Sequence, residues 1–366
     1  MKKYWLELLL LALLVPLSTL LVWLPFLLGQ GGGMLTVFAN YDGPNYIIIA
    51  KTLYDKSLIA HSFSLPIPLE YYPAHLPGYP LLIKIFNLFL PGTWAMILVT
   101  VISTSLAAIT FYLLLQKFNL TSNPFWLSFL FLFLPARWLV VRSVGSPEPF
   151  FIFAILASFY FFKSRSFLLA GIFGVLAQIT KSPGILLFIT YCLLFINELM
   201  KTKRINWKVW PLLLIPISAI AVFWFYKIQT GDFLAYFHSG DNFHLVFPPY
   251  QSFIASRSWL GQIWVEDMIW QYLIGALLVI YLIKQKHYDF AGFAGIFFAA
   301  TLFIAHRDLA RYSLPLAPFA LIAFEKFLTS RAFKIAFLII LPAIYLYAMN
   351  FIAGNTAPIA DWTPYL

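Results

Sequence analysis

FANYDGPNYIIIAKTLYDKSLIAHSFSLPIPLEYYPAHLPGYPLL, residues 38–82, is the first long interval with polar residues in a very apolar chain. It opens with the acidic turn Tyr41-Asp42-Gly43-Pro44 and closes with a stretch rich in aromatic residues and proline, residues 71–80. A plain connector between two membrane helices does not need about 45 residues with so many rigid ones. The segment therefore predicts a structured loop that the rest of the chain holds at a membrane surface.

The composition is that of a polytopic membrane protein. The chain has 366 residues, of which 62% are hydrophobic and only 10% are charged, whereas soluble domains carry about 25% charged residues. A net charge of +10 would suggest a nucleic-acid partner in a soluble chain. Here the cations lie in short loops between apolar runs, where they orient the chain against anionic lipid, so no nucleic-acid partner is expected. The single cysteine, Cys192, excludes an intrachain disulfide bond.

Eleven apolar runs predict an all-α, polytopic bundle of transmembrane helices that forms a single domain, residues 1–366. About 20 apolar residues are needed to cross a bilayer, and because several runs are shorter, the range is nine to twelve spans. The first run follows Lys2 and Lys3, is too long for a signal peptide and predicts an uncleaved anchor helix. The runs are 8–28, 93–115, 125–141, 149–162, 167–180, 184–200, 209–226, 268–283, 289–305, 313–325 and 333–351.

The charged residues predict the orientation of these spans. With the N-terminus in the cytoplasm, fourteen of the 24 cations fall in short inner loops and ten of the fourteen acids fall outside. Two long outer loops result, residues 29–92 and 228–267. The apolar segment 81–90 is too short to cross and predicts an interfacial helix within the first of these loops.

Two acids on the predicted outer side, Asp42 and Glu148, are candidate functional residues. Asp42 precedes Gly43-Pro44 and could simply form a turn or cap the helix that follows. Glu148 is predicted at the start of a helix, where its charge suits the helix dipole, so capping is the simpler interpretation there too.

Three outer cations are candidates for binding a phosphate. Arg307 and Arg311 are four residues apart and would share one face of a helix; Arg binds phosphate through two parallel hydrogen bonds. The alternative is that Asp308 or other outer acids only neutralise them. Lys181 lies at a helix break and could equally be a solvated loop residue.

Five motifs occur along the chain on one predicted side of the membrane: YDGPNYIIIA (41–50), YPAHLPGYPLL (72–82), SPEPFF (146–151), LAQITKSPG (176–184) and ARYSLPLAP (310–318). In their order and common side, these motifs resemble those of GT-C glycosyltransferases, most closely the PIG-V-like and related mannosyltransferase-type members. The resemblance covers about residues 5–325.

This resemblance implies a polyprenyl- or dolichyl-phosphate sugar as donor and an acidic residue in the first outer loop, which Asp42 matches. Asp42 would act as the general base of an inverting transfer, with Glu148 as a second acid. Arg307, Arg311 and Lys181 would bind the donor phosphate, and Tyr41, Tyr72 and His75 would line the donor or acceptor pocket. The acceptor could be a lipid, a glycan or a protein, and the active site would face the outside of a plasma membrane or the lumen of the endoplasmic reticulum.

The sequence leaves open whether a metal takes part and which of several functions the chain has. Many members have a pair of acids where this chain has only Asp42, so a divalent metal is neither required nor excluded by the sequence. The alternative functions are a lipid or solute transporter, including a flippase, and an inactive membrane scaffold. A transporter would need ionisable residues near the middle of the bilayer and matching halves of the chain, whereas the acids here cluster toward one surface.

Overall fold

The structure is a computed structural model, and it describes residues 2–240, 245–253, 265–306 and 308–366. About 75% of it is helical, and the described residues contain no β-strand. This confirms the predicted all-α bundle. The helices are α1 (Lys2–Leu27), α2 (Met34–Phe38), α3 (Gly43–Thr52), α4 (Lys56–Ser62), α5 (Gly78–Phe86), α6 (Gly92–Lys117), α7 (Pro124–Phe131), α8 (Ala136–Val141), α9 (Glu148–Lys163), α10 (Phe167–Thr180), α11 (Ile185–Thr202), α12 (Leu214–Thr230), α13 (Ala235–His238), α14 (Val265–Lys284), α15 (Tyr288–Thr301), α16 (Leu309–Tyr312), α17 (Ala317–Ala323), α18 (Glu325–Leu328) and α19 (Arg331–Gly354).

Long apolar helices support a multi-pass membrane protein. Six stretches in the described part of the chain are long and apolar enough to cross a bilayer, and they coincide with six of the eleven predicted runs. The other five predicted runs fall in shorter or interrupted helices, so the number of spans stays a prediction. The six stretches are Tyr4–Leu27, Gly92–Lys117, Ser182–Thr202, Trp207–Thr230, Glu266–Lys284 and Arg331–Gly354.

Helix α3 of the first predicted loop is packed into the protein. Every residue of α3 from Gly43 to Ala50 is buried, and the helix packs against α5 and α6. A more exposed apolar surface emerges near the end of α5 and just after it, at Ile85, Leu88 and Phe89, the last of which is 81% exposed. Exposed apolar side chains at this point are compatible with the predicted interfacial helix.

Four chain segments meet at one end of the bundle. Helix α9 begins at Glu148 and packs between α6 and α10. Helix α10 ends at Thr180, and Lys181 then takes an extended conformation before the 3-10 turn Ser182–Gly184. The start of α3 and the short α16 bring Asp42 and Arg311 to the same place.

The segment just before α9 is anchored against other helices. The guanidinium of Arg142 is fully buried and donates to Leu132 O, Thr19 Oγ1 and Ser18 Oγ at 2.7–2.8 Å. Gly145 lies so close to Met96 that a Cβ would approach its sulfur at 2.2 Å. Close packing of this kind leaves room only for glycine at position 145 and fixes where α9 begins.

Candidate functional site

The side chain of Asp42 does not cap the helix that follows it. Asp42 is the N-cap residue of α3, yet its carboxylate accepts no hydrogen bond from the first turn of that helix. Instead Oδ2 lies 3.4 Å from NH1 of Arg311, and Oδ1 lies 3.6 Å from Nε2 of His75. The side chain is 31% exposed, which leaves it accessible to a ligand. Capping of α3 by the Asp42 side chain is therefore wrong, whereas its role in the turn before the helix stays a prediction.

Glu148 joins the two cations of the site. Lys181 Nζ and Arg311 Nε each donate to its Oε1 atom at 2.8 Å, and Ser146 Oγ donates to Oε2. The Glu148 side chain is only 1% exposed, and a carboxylate so deeply buried needs partners of this kind. Asp42, Arg311, Glu148 and Lys181 thus form a chain of alternating charges.

His75 is fixed beside Asp42 by aromatic neighbours. Its ring meets the edges of Tyr46 and Tyr71 at centroid distances of 5.0 and 5.2 Å. Its backbone carbonyl accepts a hydrogen bond from Tyr54 OH at 2.6 Å. Edge-to-face contacts of this kind favour one ring orientation, so His75 presents Nε2 to Asp42.

The electrostatic surroundings keep Asp42 ionised. Burial is the largest single influence and would raise the pKa of this carboxyl, but the combined effect of neighbouring His75, Arg311 and Lys181 outweighs it. The pKa of Asp42 is therefore held well below its usual range. Burial, with a further contribution from Asp42, raises the pKa of Tyr71 to about 12, so this phenol keeps its proton at neutral pH and can donate a hydrogen bond.

A polar cavity and an apolar groove meet at the two cations. The cavity is lined by Asp42, Tyr46, Tyr71, His75 and other residues. The groove has walls that include Phe151, Pro183, Leu186, Phe297 and Ile304. Both share Lys181, Ser182, Arg311 and Tyr312. The site can therefore hold a molecule that is polar at one end, anionic in the middle and apolar at the other end.

The structure adds Arg137, which lies inside the predicted span 125–141. Its NH1 donates to Tyr41 OH at 3.2 Å, and its NH2 lies 3.3 Å from Oδ1 of Asp308. The guanidinium of Arg311 lies over the Tyr41 ring, 4.1 Å from its centroid. Tyr41 thus contacts one guanidinium through its hydroxyl and another through its ring. The available signal was an arginine within an apolar run, which usually marks a functional position.

Most of the predicted site residues come together. Asp42, His75, Glu148, Lys181 and Arg311 surround one point, with Tyr41 packed behind it. The alternative interpretation was that Asp308 or other outer acids neutralise the outer arginines. Arg311 does pair with two such acids, Asp42 and Glu148. Asp308 pairs with Arg137 instead.

Two of the predicted residues stand apart. Tyr72 is buried, and its neighbour Tyr71 is the one that lines the polar cavity. Arg307 lies outside the described residues. Because α16 runs only from Leu309 to Tyr312, the predicted pairing of Arg307 and Arg311 on one helical face stays a prediction. Other residues not anticipated from the sequence are Tyr46, Tyr71 and Tyr312, which line the cavity.

The side chains at this site are a poor ligand set for a divalent metal. Within the described ranges, no three His, Cys, Asp or Glu side chains converge as a set of metal ligands. Asp42 and Glu148 are each already within reach of a cationic side chain. Two carboxylates neutralised in this way are poor ligands for a hard cation, which prefers several free oxygen donors.

Comparison with known proteins assigns no family. No protein-family model matches the chain, and no curated protein matches it significantly. The resemblance to GT-C glycosyltransferases therefore rests on the sequence motifs alone, and a function has to be inferred from the chemistry of the site.

Proposed function

We propose that this protein is an integral-membrane glycosyltransferase. It would move a sugar from a polyprenyl- or dolichyl-phosphate donor to an acceptor hydroxyl on the extracytoplasmic side. The observation that best supports this proposal is the junction of the polar cavity and the apolar groove at Lys181 and Arg311. A lipid-phosphate sugar has its apolar chain, its anionic phosphate and its polar sugar in the same order.

The reaction needs a base and a stabilised leaving group. The acceptor oxygen forms a bond to the anomeric carbon while the bond from that carbon to the phosphate oxygen breaks. The acceptor proton passes to the carboxylate of Asp42, and the electron pair of the broken bond stays on the lipid phosphate. Attack on the face opposite the leaving group inverts the anomeric configuration. General-base assistance of this type contributes about 10²–10⁴-fold to the rate.

Arg311 and Lys181 would stabilise the leaving group, the lipid phosphate. Negative charge grows on the phosphate oxygen as the bond to the sugar breaks, and fixed cations in a poorly solvated site stabilise that charge effectively. Glu148 holds both cations before the donor arrives, so little rearrangement is needed during the reaction.

Donor binding would also strengthen Asp42 as a base. In the described state the positive charges of Arg311 and Lys181 help to lower the pKa of this carboxyl. A phosphate that neutralises them would weaken their effect on Asp42, since an opposite charge nearby favours the ionised form of an acid and its loss does the reverse. The base would then become more reactive when the donor is in place.

The proposal is tested with purified protein and polyprenyl-phosphate mannose or glucose labelled in the sugar, supplied with acceptors from a membrane extract. We expect transfer by the unmodified protein and a loss of about 10²–10⁴-fold in Asp42→Asn. The matched control is Asp55→Asn: Asp55 caps α4 in the same predicted loop by accepting from the Ser57 and Leu58 amides. Asparagine caps about as well as aspartate, so this variant should transfer normally. Full activity in Asp42→Asn would remove Asp42 as the base.

A further inference from the structure

Glu148 carries an inference that goes beyond its sequence-based role as a second acid. We propose that Glu148 is a positioning residue that holds Lys181 and Arg311 together as one binding site for the phosphate of the donor. The inference rests on the proposed function, because it concerns the donor phosphate of that reaction. It deepens that function by assigning the residue that builds the phosphate site.

The geometry argues against direct proton transfer by Glu148. Its side chain is almost completely buried. Oε1 accepts from two cationic groups, and Oε2 accepts from Ser146. A carboxylate with both oxygens occupied inside the protein offers no free atom to a substrate hydroxyl. The exposed acid at this site is Asp42, which lies on the far side of Arg311.

The two cations need such a partner because they come from separate segments. Lys181 lies in the extended link after α10, and Arg311 lies on a helix of only four residues. Two like charges that approach each other without a counterion repel strongly at a site of low dielectric constant. Because both nitrogens bond to the same oxygen at 2.8 Å, they lie no further apart than twice that distance, close enough to contact one phosphate.

Both cations keep donors for a ligand. Arg311 gives Nε to Glu148 and NH1 to Asp42, which leaves its NH2 group without a partner among the described residues. Lys181 uses one of its three N–H bonds on Glu148 in the same part of the structure. These remaining donors lie where the polar cavity meets the apolar groove, which is the expected position of the phosphate of a lipid-linked sugar.

Glu148 is in turn held by a rigid support. The amide of Ser146 donates to Tyr79 OH at 3.0 Å, and Tyr79 OH is 2.6 Å from Thr100 Oγ1 on α6. Ser146 then donates through its hydroxyl to Glu148. A residue whose own rotamer is fixed by neighbours can hold a binding group accurately. The position of the phosphate site is thus set by α6 through Ser146 and Glu148.

The test compares Glu148→Gln and Glu148→Asp in donor kinetics, with Glu70→Gln as control. Glu70 pairs with Lys56 on the surface of the first predicted loop, so its loss should leave the kinetics unchanged. We expect Glu148→Gln to raise the KM for the donor about 10- to 100-fold, because Lys181 and Arg311 are then no longer held where both can make charge-assisted contacts to the phosphate. Glu148→Asp, which keeps the charge, should restore part of the affinity. In an Arg311→Ala background, Glu148→Gln should have little further effect on KM.

Three outcomes would overturn the inference. An unchanged donor KM with a large fall in kcat would make Glu148 a proton-transfer group. Normal kinetics in a folded but less stable Glu148→Gln protein would make its role purely structural. Full additivity with Arg311→Ala would show that the two residues act independently.

A binding measurement separates failure of this inference from failure of the proposed glycosyl transfer. If the unmodified protein transfers no sugar, binding of polyprenyl phosphate alone is measured for the same variants. Weaker binding by Glu148→Gln would support the positioning role without glycosyl transfer. Equal binding by Glu148→Gln and the unmodified protein, or no binding by either, would overturn it.

Discussion

Tyr41 takes an unusual backbone conformation directly before the proposed base. Its φ angle of +50° is uncommon for an aromatic residue. Such a conformation costs on the order of 1–3 kcal/mol and persists only where the surroundings enforce it. Here Arg137 bonds to the hydroxyl of Tyr41, and Arg311 covers one face of its ring. The direction of the Asp42 carboxylate therefore depends on side chains from three separate parts of the chain.

The lowered pKa of Asp42 predicts a pH-dependent contribution to stability. Since the folded state holds this pKa below its ordinary value, ionised Asp42 stabilises the fold at any pH above the unfolded value of about 3.9. That contribution falls as the pH drops from there toward the folded pKa. We expect Asp42→Asn to unfold at a lower temperature than the unmodified protein at pH 7.

Thermal unfolding of both proteins between pH 7 and pH 3 measures this effect. The difference in melting temperature should narrow as the pH falls below about 4, because the acid is then partly protonated in the unfolded chain. A difference that widens below pH 4 would contradict the assigned charge state of Asp42.

Replacing Arg311 should weaken the donor site strongly. Arg311→Ala removes a charge-assisted contact worth about 1.5–3 kcal/mol, so donor affinity or turnover should fall about 10- to 150-fold. Arg311→Lys should recover only part of this, because lysine keeps the charge but cannot donate to Glu148 and Asp42 from one planar group. Donor titrations of the three proteins measure the effect.

The matched control for this series is Arg165→Ala. Arg165 forms a solvent-exposed pair with Glu198, and such pairs contribute about 0–1 kcal/mol. This variant should bind donor normally. Wild-type donor affinity in Arg311→Ala would remove the phosphate site at this position.

At the residue scale, the sequence could predict which groups carry chemistry but not how they pair. Asp42, Glu148, Lys181 and Arg311 were identifiable as charged residues at helix breaks on one predicted side. Nothing in their spacing shows that Glu148 bonds to Lys181, 33 residues away, and to Arg311, 163 residues away. Those contacts depend on how the helices pack. The contacts of Arg137 with Tyr41 and Asp308 depend on packing in the same way.

At the scale of single elements, helix termini build the site. Glu148 opens α9, Lys181 follows the end of α10, Asp42 precedes α3, and Arg311 lies on the short α16. At the termini of helices, polar side chains and unpaired backbone groups can lie at the surface of an apolar bundle and not inside it. A set of helices that begin or end at one level therefore gathers charges that no single helix could present.

Hydropathy located the long helices but does not show where an apolar run is interrupted. The predicted span 125–141 is divided into α7 and α8, with Pro135 between them; proline lacks the N–H that a continuous helix requires. The predicted span 313–325 comprises the 3-10 turn Leu314–Leu316 and the seven-residue α17. Apolar composition alone cannot separate a membrane-crossing helix from a buried short one.

The orientation of the helices can be tested with single cysteines on a Cys192-free background. Glu70→Cys and Asp232→Cys lie on the predicted outer side, and Lys203→Cys lies in a predicted inner loop with an exposed side chain. In intact cells, a membrane-impermeant thiol reagent should label the first two and spare the third. In permeabilised cells all three should react. Labelling of position 203 but not of 70 or 232 in intact cells would reverse the assigned topology.

At the scale of the whole molecule, the candidate site lies at one end of α9 and a separate group of ion pairs lies at the other. Helix α9 runs from Glu148 to Lys163, so about 22 Å separate these two residues along its axis. Lys163 pairs with Asp289, and Arg165 pairs with Glu198 nearby. The apolar groove lies at the Glu148 end and meets the polar cavity at Lys181 and Arg311. Under the proposed function, the lipid chain of the donor would occupy this groove and its sugar would lie toward Asp42.

The most direct test of glycosyl transfer follows both parts of the donor at once. Proteoliposomes containing the purified protein receive polyprenyl-phosphate mannose or glucose that carries one label in the sugar and another in the lipid, together with the membrane-extract acceptors. We expect the two labels to separate, with one polyprenyl phosphate released for each sugar transferred and with little separation in Asp42→Asn. Movement of both labels together across the bilayer, with the donor intact, would contradict glycosyl transfer and indicate a lipid transporter instead.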